Sequence, residues 1–354
     1  MSAKVPFERH PIIQRDLDRI LLAPLPWERF AGRTVLVAGA AGFIGAYVVD
    51  TLLRLNEGHT QEPVQILALA RQAHALRSRF PGEKMRDDLR FLVQDACIPV
   101  QLDMPVDFVI HAASPGTPRA FGRDPIGTFA ANVFATRELL ELKPRDAFLF
   151  FSSGEVYGLG NDQIIPTHEN AYGLLDPTQV RSCYGESKRA GETLCACYAA
   201  QEGVHTTMAR IFHTYGPGMP LGDGRTFSDF VQDALLGRDI EMRSEGKASR
   251  AFCYLADTVE ACFTILLKGA TATAYNVGND RAELTVLELA QLIAGLDPAR
   301  RLRVRRAAIP DASDTYLPSP IQRGCPDVSR LRMLGWEPRV GPHEGFKRTL
   351  DSFC

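Results

Sequence analysis

The sequence lacks most of what marks a membrane, secreted or nucleic-acid-binding chain. No apolar run reaches membrane-spanning length, and the opening "MSAKVPFERHPIIQRDLDRI" carries charges where a secretory signal would be continuously apolar. Neither sign of charge is in excess: 40 basic residues meet 42 acidic ones, mixed along the chain, for a formal net charge of -2. That balance excludes nucleic acid and anionic membranes as default partners and leaves anion binding to local sites. Paired zinc-type cysteines are missing as well. Eight cysteines lie scattered in apolar or helical stretches, as suits a reducing compartment, and Cys195 and Cys197 stand two apart on different faces of a helix. A cytoplasmic protein with no metal site is the expectation. Repeats, low-complexity segments and flexible linkers are also lacking, so 354 residues, 45% of them hydrophobic, read as one compact unit with room for two lobes and a cleft.

What is present is an alternation of strand-length apolar runs with stretches of helical period. The runs are "TVLVAG" (34–39), "VQILALA" (64–70), "RFLVQ" (90–94), "DFVIHAA" (107–113), "AFLFFSS" (147–153) and "TTMARIF" (206–212). After the first of them Ile44, Val48, Leu52 and Leu55 recur at helical steps and supply a stripe to pack on a sheet. This order predicts an α/β fold: a Rossmann-type, doubly wound parallel sheet with helices on both faces and ligands beyond the carboxyl ends of its strands. After about Tyr215 come Gly/Pro-rich loops ("YGPGMPLGDGR"), shorter helices, an "AYNVG" strand and the basic run "RLRVRR", which predict a smaller C-terminal lobe. The expected division is an N-terminal extension over 1–32, a cofactor-binding domain over 33–214, and a substrate lobe over 215–354 with segments near 250–280 returning to the main body. An extra helix in the extension is expected to pack on the body or on a second subunit.

The loop "VAGAAGFIG" places Gly39, Gly42 and Gly45 three apart between a strand and an amphipathic helix. A tight turn, close approach of backbone amides to a pyrophosphate and room for helix against strand are what such a loop supplies. An acid normally ends the second strand of an NAD site. Here the strand ends Leu69-Ala70-Arg71, so the cation makes NADP a candidate beside NAD. Asp95, after the third strand, stands either at the adenine edge or as a turn-forming residue.

Further on, "SCYGESKRAGE" sets Tyr184 and Lys188 four apart on one helix face. A free tyrosine titrates near pH ~10, and a neighbouring ammonium such as Lys188 would stabilise its phenolate.

Taken in order, "GAAGFIG", "VIHAAS", "SSGEVYG", "YGESK", "ARIFHTYGPGM", "RAFCYLAD" and "CPDVSRLRMLGWEP" resemble an extended short-chain dehydrogenase/reductase of the nucleotide-sugar epimerase, dehydratase and decarboxylase group, from about Thr34 to the C-terminus. The resemblance implies NAD or NADP, tightly bound and recycled, in a site made by Gly39, Gly42, Phe43, Ile44, Gly45, Arg71, Asp95, Ala96, Ala112, Ala113, Ser114, Tyr184 and Lys188. It implies a nucleoside-diphosphate sugar, with a UDP-sugar favoured, held by Ser114, Glu155, His213, Arg225, Arg250 and Arg323. By the same likeness Tyr184 takes the proton of a sugar hydroxyl, usually at C4, Lys188 binds the nicotinamide ribose, and Ser153 hydrogen-bonds the reacting oxygen. Dimers built on the helix after "FGRDP" and the helix carrying Tyr184 are implied too.

Glu155 has a chemical reading of its own. Once C4 is a ketone, the hydrogen on C5 is acidic, and a carboxylate beyond Ser153 is placed to move that proton. The 4,6-dehydratases of the group carry Asp-Glu at this place, and here the Asp position is Gly154. Decarboxylases of UDP-glucuronate carry Ser-Glu, and "YGPGM…DGR" with "RSCYGESKR" looks most like that branch. Gly154, Phe121 in place of a tyrosine, and His213 in place of an asparagine depart from it. The expected reaction is decarboxylation first, C4 or C5 epimerisation second and 4,6-dehydration third, with a cofactor-binding regulator as the non-enzymatic alternative.

Overall fold

The side chains of the first strand alternate between two apolar clusters, with Val35 and Val37 in one and Leu36 and Ala38 in the other. A strand covered on both faces belongs at the centre of a layered sheet. The structure, a computed structural model, describes residues 10–58, 62–81, 86–159, 165–306 and 321–354. In chain order the first half comprises α1 (Pro11–Leu21), β1 (Thr34–Ala38), α2 (Phe43–Asn56), β2 (Gln65–Ala70), α3 (Ala73–Arg79), β3 (Leu89–Val93), β4 (Phe108–His111), α4 (Pro118–Arg123), α5 (Pro125–Leu140) and β5 (Ala147–Ser153). The second half comprises α6 (Ser182–Glu202), β6 (Thr206–Ile211), β7 (His213–Tyr215), α7 (Thr226–Leu235), β8 (Ile240–Met242), β9 (Ser249–Tyr254), α8 (Leu255–Lys268), β10 (Thr273–Val277), β11 (Glu283–Thr285), α9 (Val286–Gly295), β12 (Val304–Arg306), β13 (Arg323–Gly324), α10 (Ser329–Arg332) and α11 (Pro342–Asp351).

Seven parallel strands form the central sheet in the order β10-β6-β5-β4-β1-β2-β3. The order reverses between β1 and β4, which is where a crevice opens at the carboxyl ends of such a sheet. The "AYNVG" segment is part of this sheet: β10 lies at its edge beside β6, although it follows the loops that begin the C-terminal part of the chain. Tertiary pairing, not sequence position, places it. Around β9 a second sheet forms from β11, β13 and β7, and β8 pairs with β12, which contains the second half of the basic run.

The helix expected in the N-terminal extension is α1, and it packs on the body through Ile13, Leu17 and Ile20. Its Asp16 is fully buried and accepts from the hydroxyls of Tyr47 (3.0 Å) and Tyr254 (2.6 Å) and from Arg348 (3.0 Å). One carboxylate thus ties α1 to α2, β9 and α11, and burial raises its pKa against the pull of these partners. Among the described residues, no helix is long and apolar enough to cross a membrane.

Candidate active site

The carboxyl ends of β1, β4, β5 and β6 converge with the start of α6 on a cleft of ≈ 870 Å³. At the end of β1 the chain turns at Gly39, whose φ of 80° is left-handed and whose amide donates to Leu69 O at 2.9 Å. A Cβ at Gly45 would stand 2.4 Å from Gly39 O, so only glycine lets the helix come this close to the turn. Gly42 caps α2 and has no side chain to occupy the first-turn amides. Gly42, Phe43, Ile44 and Gly45 line the cleft, so the open end of α2 faces it, as a pyrophosphate requires.

Ala112 and Ser114 line the same cleft from the end of β4. Gly39, Arg71, Asp95, Ala96 and Ala113 do not. The Asp95 side chain is used at home: Oδ1 accepts from the Cys97 amide at 2.9 Å, the turn-forming alternative of the sequence reading. Arg71 is exposed and Ala96 buried. Burial pushes the Cys97 thiol up to about 11, with Asp95 adding to the rise and Arg71 opposing it, so these three residues stand together at the ends of β2 and β3.

Ser153 ends β5 and Tyr184 and Lys188 lie in the first turns of α6, all three on the cleft. The helix is held close by Gly185 and Gly191, where a side chain would strike Leu175 and Phe150. Burial pushes the Tyr184 phenol up to about 12, against a hydrogen bond with the Ser153 hydroxyl that pulls it down. Lys188 donates to Phe151 O at 2.6 Å, and its ammonium lies 5.6 Å from the centre of the Tyr184 ring. Burial works against the charge that sequence reasoning gives Lys188, bringing its pKa down to about 7, with Glu192 opposing the fall. Glu192 is itself held by Arg210 at 2.7 and 2.9 Å and by the Ser152 hydroxyl, a network behind the strand that the sequence did not reveal.

Glu155 is the second residue of a tight turn spanning Gly154–Tyr157, its amide donating to Ser153 Oγ at 3.2 Å. Its carboxylate accepts from Arg181 Nη2 at 2.9 Å. A Cβ at Gly154 would come within 3.0–3.2 Å of the Phe212 ring, so aromatic carbon fills the space of a side-chain acid. Phe121 stacks on Tyr184 with ring centres 4.4 Å apart and planes 15° off parallel. Arg181 and Phe212 escaped the sequence reading. The position of Arg181 three residues before Tyr184, one helical turn away, was the available signal for it.

The expected sugar-phosphate residues all line the cleft. His213 is half-buried, with its Nδ1 shielded and without a hydrogen-bond partner among the described residues. Burial, then Arg250 and Arg225, push its pKa down to about 3, so the ring is neutral. Arg225 is braced by Asp223 at 2.7 Å, Arg250 reaches the carbonyls of Ser249, Ile321 and Gln322, and Arg323 forms a two-pronged pair with Glu283 at 2.7 and 2.9 Å. In the same region His111, at the end of β4, is buried and pushed down to about 3 by burial and by Lys188, which leaves it a neutral structural ring bonded to Ala131 O.

Comparison with known proteins bears on this arrangement. The model of the NAD dependent epimerase/dehydratase family matches residues 35–278. UDP-glucuronic acid decarboxylase 1 of Danio rerio is 34% identical over 324 residues, covering 91% of this chain and 72% of that protein. UDP-glucuronic acid decarboxylase 3 of Arabidopsis thaliana is 33% identical over 90% of this chain and 88% of its own. Among solved structures, UDP-glucuronic acid 4-epimerase from Bacillus cereus, in complex with UDP-glucuronic acid and NAD, shares the fold with a TM-score of 0.73 at 21% identity, covering 90% of this chain and 98% of that one.

Proposed function

The chain belongs to the NAD dependent epimerase/dehydratase family, and from that premise we propose that it decarboxylates a UDP-linked uronic acid through transient oxidation at C4. The observation that carries this reading is the meeting, in one cleft, of the open α2 end, the Ser153, Tyr184 and Lys188 group, and the Glu155 carboxylate. The named relatives support the uronic acid. The absence of any acidic side chain at Gly154, with Phe212 against it, argues against loss of a hydroxyl from C6.

The α2 amides from Phe43 to Gly45 would hold the cofactor pyrophosphate, and Tyr184 and Lys188 its nicotinamide ribose. Bound in its oxidised form, the cofactor would supply both a hydride acceptor and a positive ring charge that favours a phenolate. NAD is the cofactor proposed, and the exposed Arg71 at the end of β2 makes NADP the alternative. Tyr184 takes the proton from the C4 hydroxyl while Ser153 hydrogen-bonds the same oxygen. Arg250 and His213, which line the cleft, would supply donors to the diphosphate. Glu155 serves the carbon next to the new ketone. Phe121 and Phe212 keep water from the ring face of Tyr184 and from the turn at Gly154.

The test is incubation of the purified protein with NAD and UDP-glucuronate in deuterated water, followed by mass spectrometry and proton NMR. The expected products are carbon dioxide and a UDP-pentose carrying one deuterium at C5. A C4-inverted uronate without deuterium would replace the reading with epimerisation, and an unchanged sugar would overturn the enzymatic reading of this cleft.

We propose further that the protein is a homodimer through α5 and α6. These helices pack on each other, and α5 leaves Ile126, Phe129 and Phe134 exposed at 83%, 39% and 56%. Light scattering at micromolar concentration is expected to give twice the mass of one chain. A monomer would refute the assembly.

A further inference from the structure

Two distant segments share the lining of the cleft: α4 with its cap, through Thr117, Pro118 and Phe121, and the loop from β7 to α7, through Pro220, Gly224 and Arg225. Arg119, on α4, joins them. Its Nη1 donates to Gly222 O at 2.7 Å, across 103 positions of the chain. A Cβ at Gly224 would stand 3.1–3.2 Å from Cγ, Nε and Cδ of Arg119, so the arginine stem lies along the loop as well. The Asp229 carboxylate, which accepts from the Gly224 amide at 3.3 Å, attracts the same guanidinium.

Arg119 thus meets the loop at 222 and 224, on either side of Asp223. Asp223 is the residue that aims Arg225: Oδ2 accepts from Arg225 Nε at 2.9 Å and Nη2 at 2.7 Å, and Oδ1 from the Arg225 amide at 3.0 Å. The loop has reason to need an outside tie. Gly216, Gly218, Gly222 and Gly224 all adopt φ between 64° and 156°, and glycine loses more freedom on being ordered than any other residue. The bond from Ser228 Oγ to Pro220 O at 2.7 Å steadies the loop only against its own helix, α7. Arg119 ties it to the segment that carries Phe121, which stacks on Tyr184.

We propose that Arg119 is a positioning residue for the nucleotide sugar: by fastening the β7–α7 loop to α4 it holds Arg225 in place for the diphosphate, at a fixed span from Tyr184. This rests on the nucleotide-sugar reading of the cleft above. Ordering the loop before the ligand arrives removes that cost from binding.

The test is calorimetric titration of UDP into the NAD-loaded protein for wild type, Arg119→Met, Arg119→Lys, Arg225→Met and the double variant Arg119→Met/Arg225→Met. It is joined by the Kd of NAD, the KM and kcat for UDP-glucuronate, and thermal melting. Arg119→Met is expected to weaken UDP binding by about 3–10-fold, the range for one net hydrogen bond, with a matching rise in KM and a smaller change in kcat. The Kd of NAD and the melting midpoint should stay at wild-type values. Arg119→Lys should recover part of the loss, because a single donor meets Gly222 O and an ammonium can supply it. In the Arg225→Met background Arg119→Met should weaken UDP no further, since the residue it positions is gone. An equal loss with and without Arg225 would show that Arg119 acts on the ligand by itself and would overturn the proposal. Unchanged UDP affinity in Arg119→Met, with wild type binding UDP, would overturn it too and leave the nucleotide-sugar reading standing. If wild type binds neither UDP nor UDP-glucuronate, that reading fails and this inference falls with it. Should Arg119→Met melt well below wild type, Arg119→Lys alone and with Arg225→Met serves for the same comparison.

Discussion

Tyr184→Phe is expected to lower kcat by about 10²–10⁴-fold, the usual worth of a positioned general base, without changing the fold. Phenylalanine keeps the stack on Phe121 and the contact beneath Lys188, because both involve the ring and not the hydroxyl. What disappears is the oxygen that meets Ser153 and that, in the proposed reaction, would receive the C4 proton. Stability should change little: a hydrogen bond worth about 1 kcal/mol is lost, and the desolvation of a buried hydroxyl is relieved at the same time. The pH dependence has a definite sign. A base whose pKa burial holds near 12 works better as pH rises, while the charge on Lys188 that assists it is lost as pH climbs through about 7. These opposed trends give wild-type kcat/KM a bell shape. Activity assays and circular dichroism melts on wild type and variant decide the matter: a variant that turns over at a near-normal rate would remove Tyr184 from the chemistry.

Gly39→Ala is expected to cost about 3 kcal/mol of stability and to weaken cofactor binding more than tenfold. The added Cβ would lie 2.6 Å from the backbone carbon and oxygen of Ala112 and 2.7 Å from the amide of Ala113. These are backbone atoms just past β4, and β4 is locked to β1 by parallel pairing that sets Ala38 opposite His111, so the neighbour cannot swing away as a side chain would. The left-handed φ of 80° adds about 1 kcal/mol of strain for any residue with a Cβ. Both costs fall between β1 and β4, where the crevice opens, so the damage reaches the cofactor site as well as the sheet. A lowered melting midpoint together with loss of NAD protection against melting would bear this out. Wild-type values for both would show that the turn is more compliant than its contacts indicate.

Much of the molecule was legible in its residues for a physical reason: strands, helices and phosphate loops are short-range objects. The run "AFLFFSS" is β5 to the residue, because seven consecutive apolar or hydroxylated residues at strand length have no helical face to offer. The spacing of Gly39, Gly42 and Gly45 predicted the turn and the open helix end, and the Tyr184 and Lys188 pair followed from a four-residue step on a helix. The wider motif order pointed to the family. The sequence reading offered two places for Asp95, the adenine edge or its own turn, and the coordinates add that one of its two oxygens, Oδ1, accepts from the Cys97 amide.

The sequence by itself determined the alternating α/β order, the glycine turn, the Tyr184 and Lys188 pair on one helix face and the acid after Ser153, since each depends on neighbours a few positions away. Tertiary structure decided which charges meet. Arg181 reaches Glu155 across 26 positions, Phe212 closes on Gly154 from the link between β6 and β7, and Arg323 is claimed by Glu283 from 40 positions away. It also decided that the buried Lys188 holds its charge less firmly than a lysine in water. Burial and long-range pairing arise only when distant segments pack, so no spacing in the chain could announce them.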